Sequence, residues 1–547
     1  MSNLLDLASI VLTPTAYNNG EALCIKPDDA SGDFQFSRNS AATRVNAQGL
    51  VENVQILSSN LVTNGDFDTD SDWTKGTGWS ISDGKAVAVS GTSSKLTQSI
   101  SGLSGKKCSV TFTLSNYGGN GTIKLDFGSL VGQDRNANGT YTEVGTYDID
   151  RLEFFKNSSF SGSIDNVSVI EITTDTSLPR INYEGFSYDG SGNVVPDSGC
   201  GSWLFEPQST NLITYSEDLS TYSTTNVTVS ATTEKSPINS VAPFLITETP
   251  ASNQHFIGGN FISLNGNNTI FCFVKNVSLG RYFKIWGFGL GALNEAVIFD
   301  TNTETIYEPP TSNVYVGGSA KLEDYGNGWF RCSITINTTT TNSLAIGLIN
   351  TVTGFGNNTY LGDITKSVLI TGIQVEQQSY ATSYIPTSGT SVTRNQDVCT
   401  NGGSLASINS TEGVLYAEIA ALADDGTTRF LGLNDGSNSN RVVILYFSST
   451  NKIRAIVSSG GTKYVDINYQ LTNILDFHKV AIKYKLNDFA FWIDGVEVAT
   501  DTSLNAPIGL DRLDFLLAGA NNFFGKTKAL AVFPYLSDQE LTALTTI

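Results

Sequence analysis

Short runs in which every second residue is apolar, stopped by Gly, Asn and Asp, constrain this chain more than any other feature. His478-Lys479-Val480-Ala481-Ile482-Lys483-Tyr484 alternates as a strand with one buried face must. Phe489-Ala490-Phe491-Trp492-Ile493 then meets Asp494-Gly495, a pair suited to a tight hairpin turn, and returns through Val496-Glu497-Val498. Ser109-Val110-Thr111-Phe112-Thr113-Leu114 alternates in the same way before the turn signal Tyr117-Gly118-Gly119-Asn120-Gly121. A period of two selects strands over helices. Composition agrees: only 15% of residues are charged, 52 are Gly, and Met1 is the only methionine. At 547 residues the chain is too long for one core, so the expectation is several all-β domains.

The net charge of −20 repels phosphate backbones, and no Lys/Arg cluster interrupts it, which argues against nucleic acid as a partner. The longest apolar stretches, such as Leu4 to Leu12, are too short to cross a bilayer, so no membrane insertion is expected. A secretory signal is not expected either, because the N-terminus lacks a basic region and carries Asp6. The six cysteines show no CxxC spacing and no neighbouring histidine, which disfavours zinc and leaves reduced, buried thiols.

One phrase is cut in two. Its first half is Phe36-Ser37-Arg38-Asn39-Ser40-Ala41-Ala42-Thr43-Arg44-Val45, running on to Val54. Its continuation is Leu178-Pro179-Arg180-Ile181-Asn182-Tyr183, running to Gly201-Ser202-Trp203-Leu204-Phe205-Glu206-Pro207. Together the halves resemble a segment of structural proteins of tailed bacteriophages that precedes β-sandwich modules. Between them, Asn60-Leu61-Val62-Thr63-Asn64-Gly65-Asp66-Phe67-Asp68 opens a region that closes with Gly162-Ser163-Ile164-Asp165-Asn166-Val167-Ser168-Val169. These two phrases resemble the ends of jelly-roll carbohydrate-binding modules, whose first and last strands lie side by side.

The resulting organisation has five parts. Residues 1–57 hold an N-terminal attachment or oligomerisation segment, which buries little by itself, and the first half of a connector. Residues 58–172 are an inserted jelly roll, and 173–207 complete the connector. Residues 208–386, with Thr210-Asn211-Leu212 near the start, Asn327-Gly328-Trp329-Phe330-Arg331 within and Ala381-Thr382-Ser383-Tyr384-Ile385-Pro386 at the end, resemble the phage-tail version of the jelly roll. Residues 387–547 resemble the concanavalin A or laminin-G sandwich, and Ser537 with Glu540 marks a capping-box start for one short helix near the end. The fold class is therefore all-β: tandem jelly-roll sandwiches, a C-terminal concanavalin A-like sandwich and an extended N-terminal segment.

Candidate sites are few. Jelly rolls of the resembled kind often hold a structural calcium between a carboxylate after the opening Asn-Gly and an Asp near the closing strand. The matching residues are Asp68 and Asp165, with backbone carbonyls supplying further oxygens. In 208–386, Gly372 stands where the closing Asp would be, and a metal is not expected there. Trp73 and Trp79 flank the turn Gly76-Thr77-Gly78 and are the candidate stacking faces for sugar rings, against the alternative that they fill the core. Trp203 is expected to plug the junction between modules. Two distant histidines, no Gly-x-Ser-x-Gly elbow and no acidic glycosidase strand make an enzyme the minority reading.

The resemblance implies a bacteriophage head or tail fibre on the virion surface, released by lysis. It would hold other virion proteins through its N-terminal segment, form a homotrimer, and adhere to host-surface polysaccharide. The alternatives are a capsid decoration protein with non-binding sandwiches and, less favoured, a capsule depolymerase.

Overall fold

The computed structural model describes residues 4–189, 194–276, 278, 280–288, 296–339, 341–356, 358–447, 450–517 and 521–546. The protein is all-β, built of antiparallel sheets packed as sandwiches. It divides into two compact units: Gln55–Asp175, and Met1–Val54 together with Thr176–Ile547.

The Gln55–Asp175 unit is one sandwich. One sheet orders Gly139–Thr146, Lys107–Ser115, Gly162–Thr174, Lys85–Ala88 and Trp79–Ser82, and Ile56–Asn60 pairs with Gly162–Thr174 as well. The unit's first and last strands thus lie side by side, Asn60 opposite Ile170. The facing sheet orders Ile123–Asp126, Arg151–Lys156, Ser94–Ser99 and Thr74–Lys75. Alternation sends Val110, Phe112 and Leu114 inward to meet Leu96, Leu125 and Phe154 in one core.

The larger unit holds two sandwiches. In the first, the sheet containing His255–Ser263, Thr341–Ile349 and Tyr282–Phe288 faces the sheet containing Phe244–Glu248, Ser367–Glu376, Gly266–Asn276, Phe330–Thr338 and Lys321–Asp324. In the second, Gly525–Phe533, Glu412–Ala421, His478–Lys485, Asp488–Ile493 and Val496–Asp501 form one sheet. Thr462–Gln470, Lys452–Ser459, Arg441–Tyr446, Arg429–Asn434 and Arg512–Asp514 form the other. Asp494 and Gly495 both take positive φ, 48° and 83°, as the hairpin turn between Asp488–Ile493 and Val496–Asp501 requires. The helix Asp538–Thr545 starts on its capping box, the Ser537 N–H donating to Glu540 Oε2 at 2.8 Å.

The N-terminal segment is extended and pairs with this chain's own C-terminal sandwich. Ile10–Leu12 pairs with one half of Gly525–Phe533, and Ser202–Phe205 pairs with the other half. The long strand's otherwise open edge is covered by two short strands from distant parts of the chain. Ile10, Leu12, Phe34, Phe36 and Phe205 enter the same core as Leu415, Ile444, Phe491 and Leu530. Trp203 enters it too, fully buried, which corrects the expectation that it plugs a junction between modules. The reason is period two: a strand that continues a sheet must turn alternate side chains into that sheet's core.

A buried charge network holds these segments together. Arg38 pairs with Asp397 at 3.1 Å, Arg180 reaches both Asp397 and Glu206, and Arg394 pairs with Glu206. Glu206 also accepts from the Ser383 N–H at 2.8 Å and the Ser383 hydroxyl at 2.7 Å, while Arg180 donates to the Thr43 carbonyl at 3.3 Å. Burial alone would raise the Glu206 carboxyl, but Arg394 and Arg180 outweigh it and hold the pKa at about 2.

Candidate functional site

Trp73 and Trp79 are both 7% exposed, so neither offers a face to a sugar ring. The Trp73 indole packs against Phe67 and Phe154, and its Nε1–H donates to the Asn64 carbonyl at 2.9 Å. Trp79 opens the strand Trp79–Ser82 on its inward face and joins the same core. A sandwich of about 120 residues has a small core, and two indoles supply a large share of the area it can remove from water. The expectation of stacking faces is corrected accordingly.

The segments carrying Asp68 and Asp165 do meet. The Val167 N–H donates to the Gly65 carbonyl at 2.8 Å, and Asn64 ties the intervening loop through Thr69 and Ser71. Asp68 is exposed, and Asp165 is half-buried and accepts from the Asn166 N–H at 2.7 Å. Among the described residues no group of three or more acidic, His or Cys side chains is placed to hold a metal. A calcium here would take two carboxylates and draw its remaining oxygens from backbone carbonyls. In the sandwich that follows, the residue at 372 is Gly for a local reason. Its φ is +60°, and an added Cβ would lie 2.5 Å from Ile238 Cδ1.

One cleft in the larger unit, of about 400 Å³, draws its walls from several separate stretches of sequence. One wall is the edge of the first sandwich of the larger unit. Lys321–Asp324 pairs with Phe330–Thr338 so that Glu323 lies opposite Arg331, and the two form a bidentate ion pair at 2.6 and 2.8 Å. Arg331 also donates to the Thr382 carbonyl at 3.2 Å, and its guanidinium lies over the Phe271 and Tyr325 rings. Tyr325 heads the turn to Trp329, held by the Tyr325 N–H to the Trp329 carbonyl, and packs edge-on against Phe273.

The opposite wall is the connector. The Tyr183 N–H donates to the Val45 carbonyl at 3.0 Å and the Val45 N–H to Asn182 Oδ1 at 2.8 Å, so both halves of the split phrase build it. Next to them Glu184 pairs with Lys526 at 2.6 Å. Lys321 projects on the same face as Glu323, two positions before it, and no described residue lies within ion-pair distance of its ammonium. Although the side chain is solvent-accessible in the cleft, the enclosing walls hold its pKa below the usual lysine value. Arg331 and Lys526 act in the same direction, against Glu323 and Glu184. Burial raises the Glu323 carboxyl but Arg331 overrides it, so Glu323 is held below the usual range.

Aromatic faces beside paired donors and acceptors suit a ring-shaped, hydroxyl-rich ligand, with C–H faces against Tyr325 and polar edges toward the charged groups. Sequence reasoning missed this site. The one signal it carried was Glu323 and Arg331 flanking the hairpin Tyr325-Gly326-Asn327-Gly328-Trp329, which places them cross-strand. Both histidines serve structure. His255 Nδ1 lies 2.8 Å from the Asn226 carbonyl, and His478 pairs with Asp494 at 2.6 Å beside the hairpin.

No protein-family model and no curated protein matches this chain. Among solved structures, the CBM40 module of the Ruminococcus gnavus IT-sialidase is similar at 18% identity. It covers 25% of this chain and 84% of that module, with a TM-score of 0.22. The same module bound to alpha2,3 sialyllactose gives 17% identity, 25% and 83% coverage, and the same TM-score. At that TM-score neither fold nor ligand transfers, and the sandwich architecture rests on the sheets themselves.

Proposed function

We propose that this protein is a bacteriophage virion appendage, a head or tail fibre, that adheres without catalysis to host-surface glycans. The observation that carries the reading is the cleft: a concave site with aromatic and paired polar groups, assembled by a connector whose sequence resembles phage structural proteins. Weak single-site contacts would become tight through several copies on one particle, with a homotrimer as the natural repeat. Because residues 10–12 and 34–37 are spent on pairing within the chain, attachment to capsid or tail proteins would use other surfaces of the folded unit. The protein would sit on the virion surface and be released by lysis.

A second reading, a capsid decoration protein with non-binding sandwiches, is favoured by one finding, the burial of Trp73 and Trp79. Screening the full-length protein against host polysaccharide and a glycan array separates the two. Retention on a subset of glycans, weakened by Tyr325→Ala, supports adhesion; a folded protein that retains none supports decoration. Release of new reducing or unsaturated ends from host capsule would instead reveal a depolymerase.

A further inference from the structure

The charges that line the cleft are engaged with one another. Glu323 holds Arg331 by two hydrogen bonds, Glu184 holds Lys526 at 2.6 Å, and Glu52 holds Arg44 at 3.1 Å. Glu206 is neutralised by Arg180 and Arg394. Asp324 accepts from the Gly326 N–H at 2.7 Å, and Asp197 from the Ser187 hydroxyl at 2.8 Å. Lys321 has no ion pair among the described residues, but Glu323 and Glu184 both attract its ammonium. A charged ligand would have to take a partner from one of these pairs and leave the other member uncompensated.

The groups that the cleft leaves open are neutral. Tyr183 comes from the connector, Tyr325 from the hairpin after Lys321–Asp324, and Tyr380 from the segment that follows Ser367–Glu376. No described residue lies within hydrogen-bond distance of these three hydroxyls. Tyr384, the fourth tyrosine lining the cleft, is by contrast tied to the Ser216 hydroxyl at 2.6 Å and to Glu217 at 3.1 Å. Burial pushes the Tyr325 phenol up to about 12 and raises that of Tyr380, so both stay protonated. A phenol hydroxyl donates and accepts at once, as a sugar hydroxyl does, and it brings no charge.

We propose that the cleft selects an uncharged glycan, whose ring hydroxyls are read by the hydroxyls of Tyr183, Tyr325 and Tyr380. This rests on the adhesion reading above. The net charge of −20 works in the same direction, since it repels an acidic polysaccharide before contact is made.

The test uses the full chain with neutral glucan, galactan and mannan oligosaccharides, the same chains oxidised at C6 to carboxylates, and amino-substituted chains. The expected result is retention of at least one neutral chain, with an affinity that changes less than about twofold between about 0.05 and 0.5 M salt. The oxidised and aminated forms of that chain bind more weakly. Tyr183→Phe, Tyr325→Phe and Tyr380→Phe each weaken binding about three- to tenfold. Their unfolding temperatures are unchanged, because each keeps its ring and loses a hydroxyl without a protein partner. A charged form bound in preference to the neutral one, or an affinity that falls steeply with salt, overturns the neutral assignment while leaving adhesion standing. Neutral binding untouched by all three Phe variants overturns the role of the hydroxyls. Retention of no glycan by the wild-type protein overturns the adhesion reading itself.

Discussion

Arg38 and Asp397, separated by 359 positions in the chain, pair at 3.1 Å with both side chains fully buried. Asp397 also binds Arg180, so one carboxylate ties the first half of the split phrase to the second and both to the strand Val398–Thr400, which pairs with Phe34–Ser37. The network closes through Glu206 on Arg180 and Arg394.

Removing one partner from this network leaves uncompensated charge in a fully buried site. Asp397→Asn leaves Arg38 without its carboxylate and Arg180 with Glu206 alone, and should lower the stability of the larger unit by about 3–5 kcal/mol. Urea unfolding followed by tryptophan fluorescence measures it, and a loss below about 1 kcal/mol would mean the network is dispensable.

The chain leaves the larger unit at Val54 and returns at Thr176, where Ser177 is held by the Gly20 N–H at 2.9 Å and by the Asn39 N–H at 3.2 Å. Replacing residues 55–175 with a short Gly/Ser linker should leave a soluble protein with the remaining unfolding transition and unchanged glycan binding. Aggregation of that deletion would show that the insert is required for folding.

Calcium bound between Asp68 and Asp165 would pin the two ends of the inserted sandwich. Millimolar calcium should then raise one of two calorimetric transitions and a chelator should lower it, with Asp165→Asn abolishing the response. An unchanged transition in all three samples removes calcium from this unit.

Lys284 is 3% exposed, its ammonium over the Trp286 ring at 4.6 Å and bonded to the Gly356 carbonyl, with no ion-pair partner among the described residues. Burial pushes its pKa down from 10.5 to about 8. Below pH 8 both folded and unfolded states carry the proton and the penalty for burying the charge is complete. Between pH 8 and 10.5 the folded state sheds the proton first, so this group's contribution to stability rises with pH. Lys284→Met should therefore stabilise the protein at pH 7, by up to roughly 3 kcal/mol, and the advantage should fade by pH 10.5. Chemical denaturation of both proteins across that range reads the difference; a gain independent of pH would assign it to packing instead.

How much of this was legible in the sequence depended on distance along the chain. The run from His478 became the strand His478–Lys485, Asp494-Gly495 became its hairpin turn, and Ser537 capped the last helix through Glu540. Each is decided by φ/ψ preference, side-chain period and hydrogen bonds a few residues apart, and those forces act in any context. Trp79 shows where this stops. Alternation says that it opposes Ser80, but which face of a strand meets the core depends on the sheet packed against it.

The split phrase makes the same division. Its two halves could be read as one connector from the residues alone, because an interrupted pattern is a property of order in the chain. That Arg38, Arg180, Glu206, Arg394 and Asp397 share a buried network, that Trp203 fills the C-terminal core, and that Glu323 and Lys321 face Tyr183 and Lys526 across a cleft was decided only by tertiary structure. Composition and period determined an all-β chain of several sandwiches, since strand formation is local. The sites arose from contacts between residues hundreds of positions apart, whose energy exists only once the sheets have packed and excluded water.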